Sequence, residues 1–195
     1  VPVSYGRLRE ACQTGVDGTS IETIELAGAA MGLDCEQIMI PLDHLFEASA
    51  GNLPALVVVK LPNEGTHFVV AWRKVGRWIQ VMDPAVGRSW FPETEFLDRV
   101  YRHRMTVPAA GWREWAVSDD FLRVVRARLS RAWVPNSEVE RAIDIACEDS
   151  GWHGLAALDA ATRMILSLRD KKAFDRAEGL LERLVSSPDL IPDSY

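Results

Sequence analysis

One histidine and one aspartate stand where two neighbouring strands are predicted to begin and end. His67 lies in the strand-like run Thr66–Val70, and Asp83 follows sixteen residues later, at the end of the next such run. The connection between the runs, Val75-Gly76, is short enough for an antiparallel hairpin, which places both residues at the same end. A carboxylate bonded to an imidazole fixes its tautomer and stabilises its charged form, so that the imidazole can activate a nucleophile. The pair therefore predicts nucleophilic catalysis.

Each residue also has an ordinary structural interpretation. A strand-end histidine such as His67 often bonds a backbone group, and Asp83, which begins Asp83-Pro84-Ala85-Val86-Gly87, can accept backbone amides as a turn residue. The turn role and a catalytic role are compatible. Cys12 is predicted near the C-terminal end of a helix, where the dipole disfavours a thiolate, and Cys35 and Cys147 are predicted to be small core residues. The nucleophile is therefore unknown.

Composition bounds the class of protein. The chain has 195 residues, of which 48% are apolar and 26% charged, as in a soluble globular protein of one domain with an extension or of two small domains. A net charge of −6 without a stripe of Lys and Arg argues against nucleic-acid binding. No run approaches the about 18 apolar residues of a membrane span. Three cysteines without a CxxC pair favour a reducing, cytoplasmic compartment.

The remaining histidines give no sign of a metal site. His44, His103 and His153 lack the spacing of metal ligands and are interpreted as surface or packing residues. We therefore expect no metal and no organic cofactor.

Short strands and two helices are predicted before residue 108. Ser4 can cap a helix over Tyr5–Cys12, and the capping box Thr19-Ser20-Ile21-Glu22 opens a second helix, which ends near Gly32. Strands are predicted over residues 33–40, 54–60, 67–74, 77–82, 88–91 and 102–107, with helical turns at 42–46 and 92–100. Short connections favour antiparallel neighbours.

The pattern becomes helical after Pro108-Ala-Ala-Gly111, which we interpret as a break. Helices are predicted from Ser118 to about Trp133, from the capping box Ser137-Glu-Val-Glu140 to about Asp149, and over residues 154–169 and 172–186. The predicted fold class is α+β, with an antiparallel sheet in residues 1–110 and an all-α helical bundle as an extension over 111–195.

Five segments in this order resemble the double-glycine leader peptidases, a family of cysteine peptidases that process bacteriocins and often form the N-terminal part of peptide-exporting ABC transporters of bacteria. They are Asp17-Gly18-Thr19-Ser20, Met31-Gly32-Leu33, Pro54-Ala-Leu-Val57, His67-Phe68-Val69-Val70 and Asp83-Pro84-Ala85-Val86-Gly87. The resemblance covers the chain up to about Val107. It implies a papain-like fold, with His67 as the catalytic histidine and Asp83 as the aspartate that orients it.

The family's catalytic cysteine and oxyanion-hole glutamine have no counterpart in these 195 residues. In the family both lie on a long helix that precedes the segment resembled by Val3–Arg9. Without that helix, roughly a dozen apolar side chains lose a packing partner at about 1.5–3 kcal/mol each, which exceeds the about 5–15 kcal/mol stability of a domain. We therefore expect an upstream segment, another chain or the helical extension to fill its place.

The resemblance implies a cysteine endopeptidase that cleaves a leader peptide after a small-residue pair, typically Gly-Gly, in the cytoplasm or at the inner face of the membrane beside an ABC exporter. Two other functions stay open. One is an inactive peptidase-like domain that binds the substrate peptide or docks on a transporter. The other is a protein-interaction module that uses the helical half. His67 and Asp83, both intact, favour the peptidase.

The residues that bind substrate are unknown. Trp72, Trp78 and Trp90 lie on three consecutive predicted strands. Their ordinary role is packing in the core or on a face of the sheet. The alternative is the wall of a groove that binds an extended peptide.

Overall fold

The computed structural model describes residues 4–13, 18–62, 65–104, 106–173 and 179–195. The chain divides into two compact units, Val1–Pro41 and Leu42–Tyr195. In the described residues the fold is α+β, with eight α-helices and an antiparallel sheet of four strands. The division at residue 110 into a peptidase-like part and a helical extension stays a prediction.

Two helices, α1 (Tyr5–Cys12) and α2 (Ile21–Ala30), form the regular structure of the first unit. The hydroxyl of Ser4 accepts a hydrogen bond from the backbone N–H of Arg7 at 3.3 Å, so the predicted cap of α1 is confirmed. The predicted strand over 33–40 is wrong, because these residues pair with no other strand and form no regular structure. The backbone N–H of Gln37 instead donates to a carboxylate oxygen of Glu25 at 3.3 Å.

The predicted capping box of α2 is displaced by one residue. Ser20, not Thr19, is the N-cap, and its hydroxyl accepts a hydrogen bond from the backbone N–H of Thr23 at 3.1 Å. Gly32 follows the C-terminal end of α2 with φ +81°, a conformation that glycine adopts without strain. The helix therefore ends where the sequence predicts.

The second unit begins with a short 3-10 turn, Leu42–His44, and then forms a sheet in chain order. Its strands are β1 (Ala55–Lys60), β2 (Thr66–Val75), β3 (Trp78–Asp83) and β4 (Gly87–Pro92), each antiparallel to the next. The four corresponding predicted strands are confirmed to within one residue at each end.

The predicted last strand over 102–107 is wrong for the residues described there, 102–104 and 106–107. The chain meets the edge of β1 earlier. Val100 forms an isolated bridge with Val59, and the backbone N–H of Tyr101 donates to the carbonyl of Val58 at 2.8 Å. The edge of β1 is therefore partly paired just before this segment.

The two faces of the sheet differ. The covered face carries His67, Asp83 and the buried apolar residues of the strands, which are Val57, Val59, Val69, Ala71, Ile79 and Val81, whereas the buried Gln80 lies on the other face. The covering residues include Phe46 and Phe96, whose ring centroids are 5.5 Å apart. Phe96 belongs to α3 (Glu93–Arg99), the predicted helical turn after β4. The open face carries the alternate residues, and several large apolar side chains remain exposed there.

Five further helices follow: α4 (Ala109–Ala116), α5 (Asp119–Arg131), α6 (Asn136–Glu148), α7 (His153–Asp170) and α8 (Leu180–Ser186). They enclose an apolar core that includes Phe121, Leu129, Leu158, Ile165 and Leu181. The sequence pattern predicts α5, α6 and α7. In the described part of the chain no helix is both long and apolar enough to cross a membrane.

Helix α4 and two features of the later helices differ from what the sequence pattern predicts. Pro108 stands at the N-cap of α4, where a proline removes no hydrogen bond from within the helix, so it begins the helix rather than breaking the chain. Ser137 is not an N-cap, because α6 already begins at Asn136. Of the helix predicted over 172–186, residues 180–186 are observed as α8; residues 172, 173 and 179 are not helical, and residues 174–178 lie outside the described chain.

A buried arginine joins the loop before β1 to the helices. Arg128 of α5 is 2% exposed, and its Nη1 donates to Oδ1 of Asp159 on α7 at 3.1 Å. Its Nη2 lies 2.8 Å from Oδ2 of Asp43 but is not aligned for a hydrogen bond, so that contact is an ion pair. Arg131, one turn later, pairs with Glu47 at 3.1 Å. Charged groups of α5 thus hold the loop that contains Phe46.

His44 lies in the same loop and is 2% exposed. Its ring centroid is 5.8 Å from that of Trp115 on α4 and 5.8 Å from that of Phe121 on α5. Burial, followed by the positive charge of Arg128, lowers the pKa of His44 from 6.5 to about 4, against smaller opposing effects of nearby aspartates. The interpretation of His44 as a packing residue agrees with this placement.

We expect the stability of the protein to fall as the pH is lowered from 6.5 to about 4. In this range the unfolded chain binds a proton at His44 that the folded chain does not, because the pKa of His44 is about 4 when folded. The free energy of unfolding should therefore drop by up to about 3 kcal/mol from this group. Urea denaturation at a series of pH values measures the slope. In the His44→Phe variant, the slope of the free energy of unfolding against pH should correspond to up to about one proton less. An identical slope in both proteins would contradict a buried neutral His44.

Candidate active site

The hairpin of β2 and β3 brings His67 and Asp83 together. His67 is the second residue of β2 and Asp83 is the last residue of β3, so both lie at the same end of the antiparallel pair. His67 Nε2 is 2.9 Å from Asp83 Oδ1. Their side chains are 25% and 20% exposed. This pair, called the dyad below, is therefore hydrogen-bonded and accessible from solvent. Its catalytic role stays a prediction.

The choice of ring nitrogen determines where a nucleophile has to lie. Because Nε2 of His67 bonds the carboxylate, Nδ1 is the nitrogen left to accept a proton when the ring is neutral. This is the reverse of the serine-protease triad, in which Nδ1 donates to the aspartate. Nδ1 is bonded to Cγ, the ring carbon that joins the imidazole to the rest of the side chain. The group that gives its proton to Nδ1 therefore has to approach close to the backbone of β2.

The turn after β3 holds the carboxylate of Asp83. Oδ1 also accepts the backbone N–H of Ala85 at 2.8 Å. The hydrogen bond from His67 is the main cause that lowers the pKa of Asp83, and the backbone N–H groups of Ala85 and Val86 act in the same direction against burial. Gly87 then adopts φ +86°, which closes the turn without a Cβ penalty. Asp83 is thus both a turn residue and a partner of the imidazole.

The sequence matches the model of the peptidase C39 family over residues 1–105. The chain belongs to the peptidase C39 family. The match includes His67 and Asp83, and it confirms the resemblance to bacteriocin-processing cysteine peptidases. No curated protein matches the chain. Membership of the C39 family supports a peptidase-like role in the processing or recognition of a leader peptide.

The three cysteines of this C39 member have local surroundings unlike those of an activated nucleophile. Cys12 is the last residue of α1, where the helix dipole disfavours a thiolate. Cys35 is exposed and does not lie on a strand, so its prediction as a core residue is wrong; its sulfur approaches α2 so closely that a Cβ at Gly28 would be 2.6 Å from it. Cys147 of α6 packs against the helical core.

The three tryptophans singled out in the sequence lie at the surface of the sheet rather than in a core. Trp78 and Trp90 are on the open face, and Trp72 is at a bulge of β2 between Ala71 and Arg73. Packing on the face of the sheet and a groove wall both remain compatible with these positions. The expectation that Asp83 accepts backbone amides as a turn residue is confirmed by the hydrogen bond from Ala85.

Proposed function

We propose that this C39 member contributes the histidine and the aspartate of a cysteine endopeptidase that removes a leader peptide after a small-residue pair such as Gly-Gly. The carrying observation is the 2.9 Å contact between His67 Nε2 and Asp83 Oδ1, which leaves Nδ1 available to a thiol. Membership of the C39 family, over residues that include both side chains, supports the same chemistry.

In the proposed reaction Nδ1 of His67 accepts the thiol proton. The thiolate sulfur bonds to the scissile carbonyl carbon, and the C=O π electrons move to the oxygen. When the tetrahedral intermediate collapses, the C–N bond breaks and the imidazolium gives its proton to the leaving amine. Water then attacks the thioester with His67 as base, which releases the leader and regenerates the thiol. Asp83 holds the ring and stabilises its positive charge throughout.

We further propose that the nucleophilic cysteine and the oxyanion donor come from outside residues 1–195. The local surroundings of Cys12, Cys35 and Cys147 support this proposal, since none of them lies at the N-terminal end of a described helix, where the dipole would stabilise a thiolate. A segment of the same polypeptide or another chain can supply them, and an ABC exporter is the partner we favour. The working compartment is then the cytoplasm or the inner face of the membrane.

Labelling of the native polypeptide with a thiol-reactive probe tests the proposal. The protein is prepared as its source cell makes it, and the labelled cysteine is mapped by mass spectrometry. We expect one fast-reacting cysteine outside residues 1–195, with a rate that falls at least about tenfold in the His67→Ala variant because the thiol loses its base. Equal labelling of both proteins would overturn the peptidase and leave a domain that recognises leader peptides without cutting them.

A further inference from the structure

The open face of the sheet is an uncovered apolar surface. Leu56, Trp78, Met82 and Trp90 project from three different strands and are 41–44% exposed. Large aromatic side chains and methionine are the residue types that most often anchor protein interfaces. A sheet with one apolar face ordinarily buries that face against another element.

The charges on the open face have one sign. Lys60, Arg73 and Arg88 occupy open-face positions, and no Asp or Glu does so in the four strands, all of whose residues are described. Arg73 lies 5.6 Å from the ring centroid of Trp90, and Arg77, in the turn after β2, lies 5.9 Å from that of Trp78. The chain as a whole carries −6, so this face is positive against a negative background.

The dimensions of the open face fit a single helix. From Trp78 to Asp83 the strand β3 rises by about 17 Å at about 3.4 Å per residue. Four strands about 4.8 Å apart are about 14 Å wide between their outer axes. An α-helix of about 11 residues, with a diameter of about 10 Å, covers that area.

We propose that the open face docks an amphipathic α-helix of a partner protein, whose apolar stripe is bordered by Asp and Glu. The apolar stripe would cover Leu56, Met82 and Trp90, and the acidic borders would meet Lys60 and Arg88. The docked helix is distinct from one that carries a nucleophile. His67 belongs to the covered face, and a cysteine helix has to approach Nδ1 from that side. The docking surface and the proposed catalysis are therefore independent.

Two fluorescent 14-residue peptides test the docking surface. Both carry the same Leu stripe at helical spacing; one has Glu along its borders and the other Lys. We expect the Glu peptide to bind, by fluorescence anisotropy, at least about tenfold more tightly than the Lys peptide, with an affinity that falls as salt is added. The double variant Lys60→Glu/Arg88→Glu should reverse this preference. Both side chains are exposed, and no ion pair of theirs is seen in the described chain, so the fold should persist.

The matched control makes the same change of charge elsewhere. Lys172→Glu/Arg183→Glu alters two exposed cations of the helical half and should leave the affinity for the Glu peptide unchanged. His67→Ala should also leave it unchanged, so a failed peptidase assay does not affect this test. Met82→Ala should weaken binding by about tenfold or more if the open face is the contact.

Several outcomes would overturn the proposal. Equal affinity for the two peptides would show that charge plays no part. Tighter binding of a single-stranded oligonucleotide, or of vesicles with one-third anionic phospholipid, would assign the open face to nucleic acid or to a membrane. A dimer in sedimentation that dissociates on Lys60→Glu/Arg88→Glu would assign it to a second copy of the chain.

Discussion

Replacement of His67 by alanine is expected to lower kcat/KM for leader-peptide cleavage by about 10⁴-fold, because the thiol and the leaving amine both lose their proton-transfer partner. Asp83→Asn should lower kcat/KM by only about 10²-fold, because it weakens the orientation of the imidazole ring without removing the ring. The measurement is initial-rate cleavage of a peptide with a Gly-Gly site by the native polypeptide.

The control for this pair is His103→Ala. His103 is an exposed histidine near the ring of Tyr101, with no contact to the dyad. The His103→Ala variant should cleave the peptide at the rate of the unaltered protein. A His67→Ala variant that retains more than a tenth of the activity would remove His67 from the mechanism, whereas full loss in Asp83→Asn would give Asp83 a larger role than orientation. Circular dichroism of each variant separates loss of catalysis from loss of fold.

Arg128→Met is expected to lower the free energy of unfolding by about 3–5 kcal/mol. The change removes the partner that Asp43 and Asp159 share, and it leaves the Asp159 carboxylate, 15% exposed, in a poorly solvated place. Arg163 pairs with both aspartates at 3.4 and 2.8 Å, so the loss should lie at the lower end of that range. Urea denaturation at pH 7 measures the effect.

A second arginine of the same helix gives the comparison. Arg126 pairs with Glu140 of α6 through two hydrogen bonds, but both side chains are substantially exposed. Arg126→Met should therefore cost no more than about 1 kcal/mol. If the two variants were equally destabilised, burial would not be what makes the Arg128 contacts strong, and the connection between the loop and the helices would be ordinary surface pairing.

The sheet was predictable because its signals are local. Runs of apolar residues, many of them β-branched in β1 to β3, and short turns define the strands, and each strand pairs with its neighbour in sequence. The failures occur where a local signal competes with a neighbouring one. Thr19 and Ser20 are both good N-caps, and only the backbone conformation chooses Ser20. A proline such as Pro108 is typical both of a break in the chain and of the start of a helix, and only the structure shows that it begins α4.

The candidate site was predictable in part for the same reason. His67 and Asp83 are sixteen residues apart on one hairpin, so their proximity follows from the turn between them. The burial of His44 does not follow from its neighbours in sequence, because Trp115 and Phe121 come from distant helices. Likewise the bulge at Trp72 and the single sign of charge on the open face appear only once the strands are in register.

The closeness of His67 and Asp83 along the chain has a consequence for synthesis. A β-hairpin closes in about 1–10 μs, whereas a ribosome adds about 5–20 residues per second. We therefore expect the two side chains to meet as soon as β3 has left the ribosomal tunnel. The Asp43–Arg128 ion pair joins parts of the chain that are far apart, and its arginine is made only after Asp83. We thus expect His67 and Asp83 to be in contact on the nascent chain seconds before the helices can hold the loop that contains Phe46.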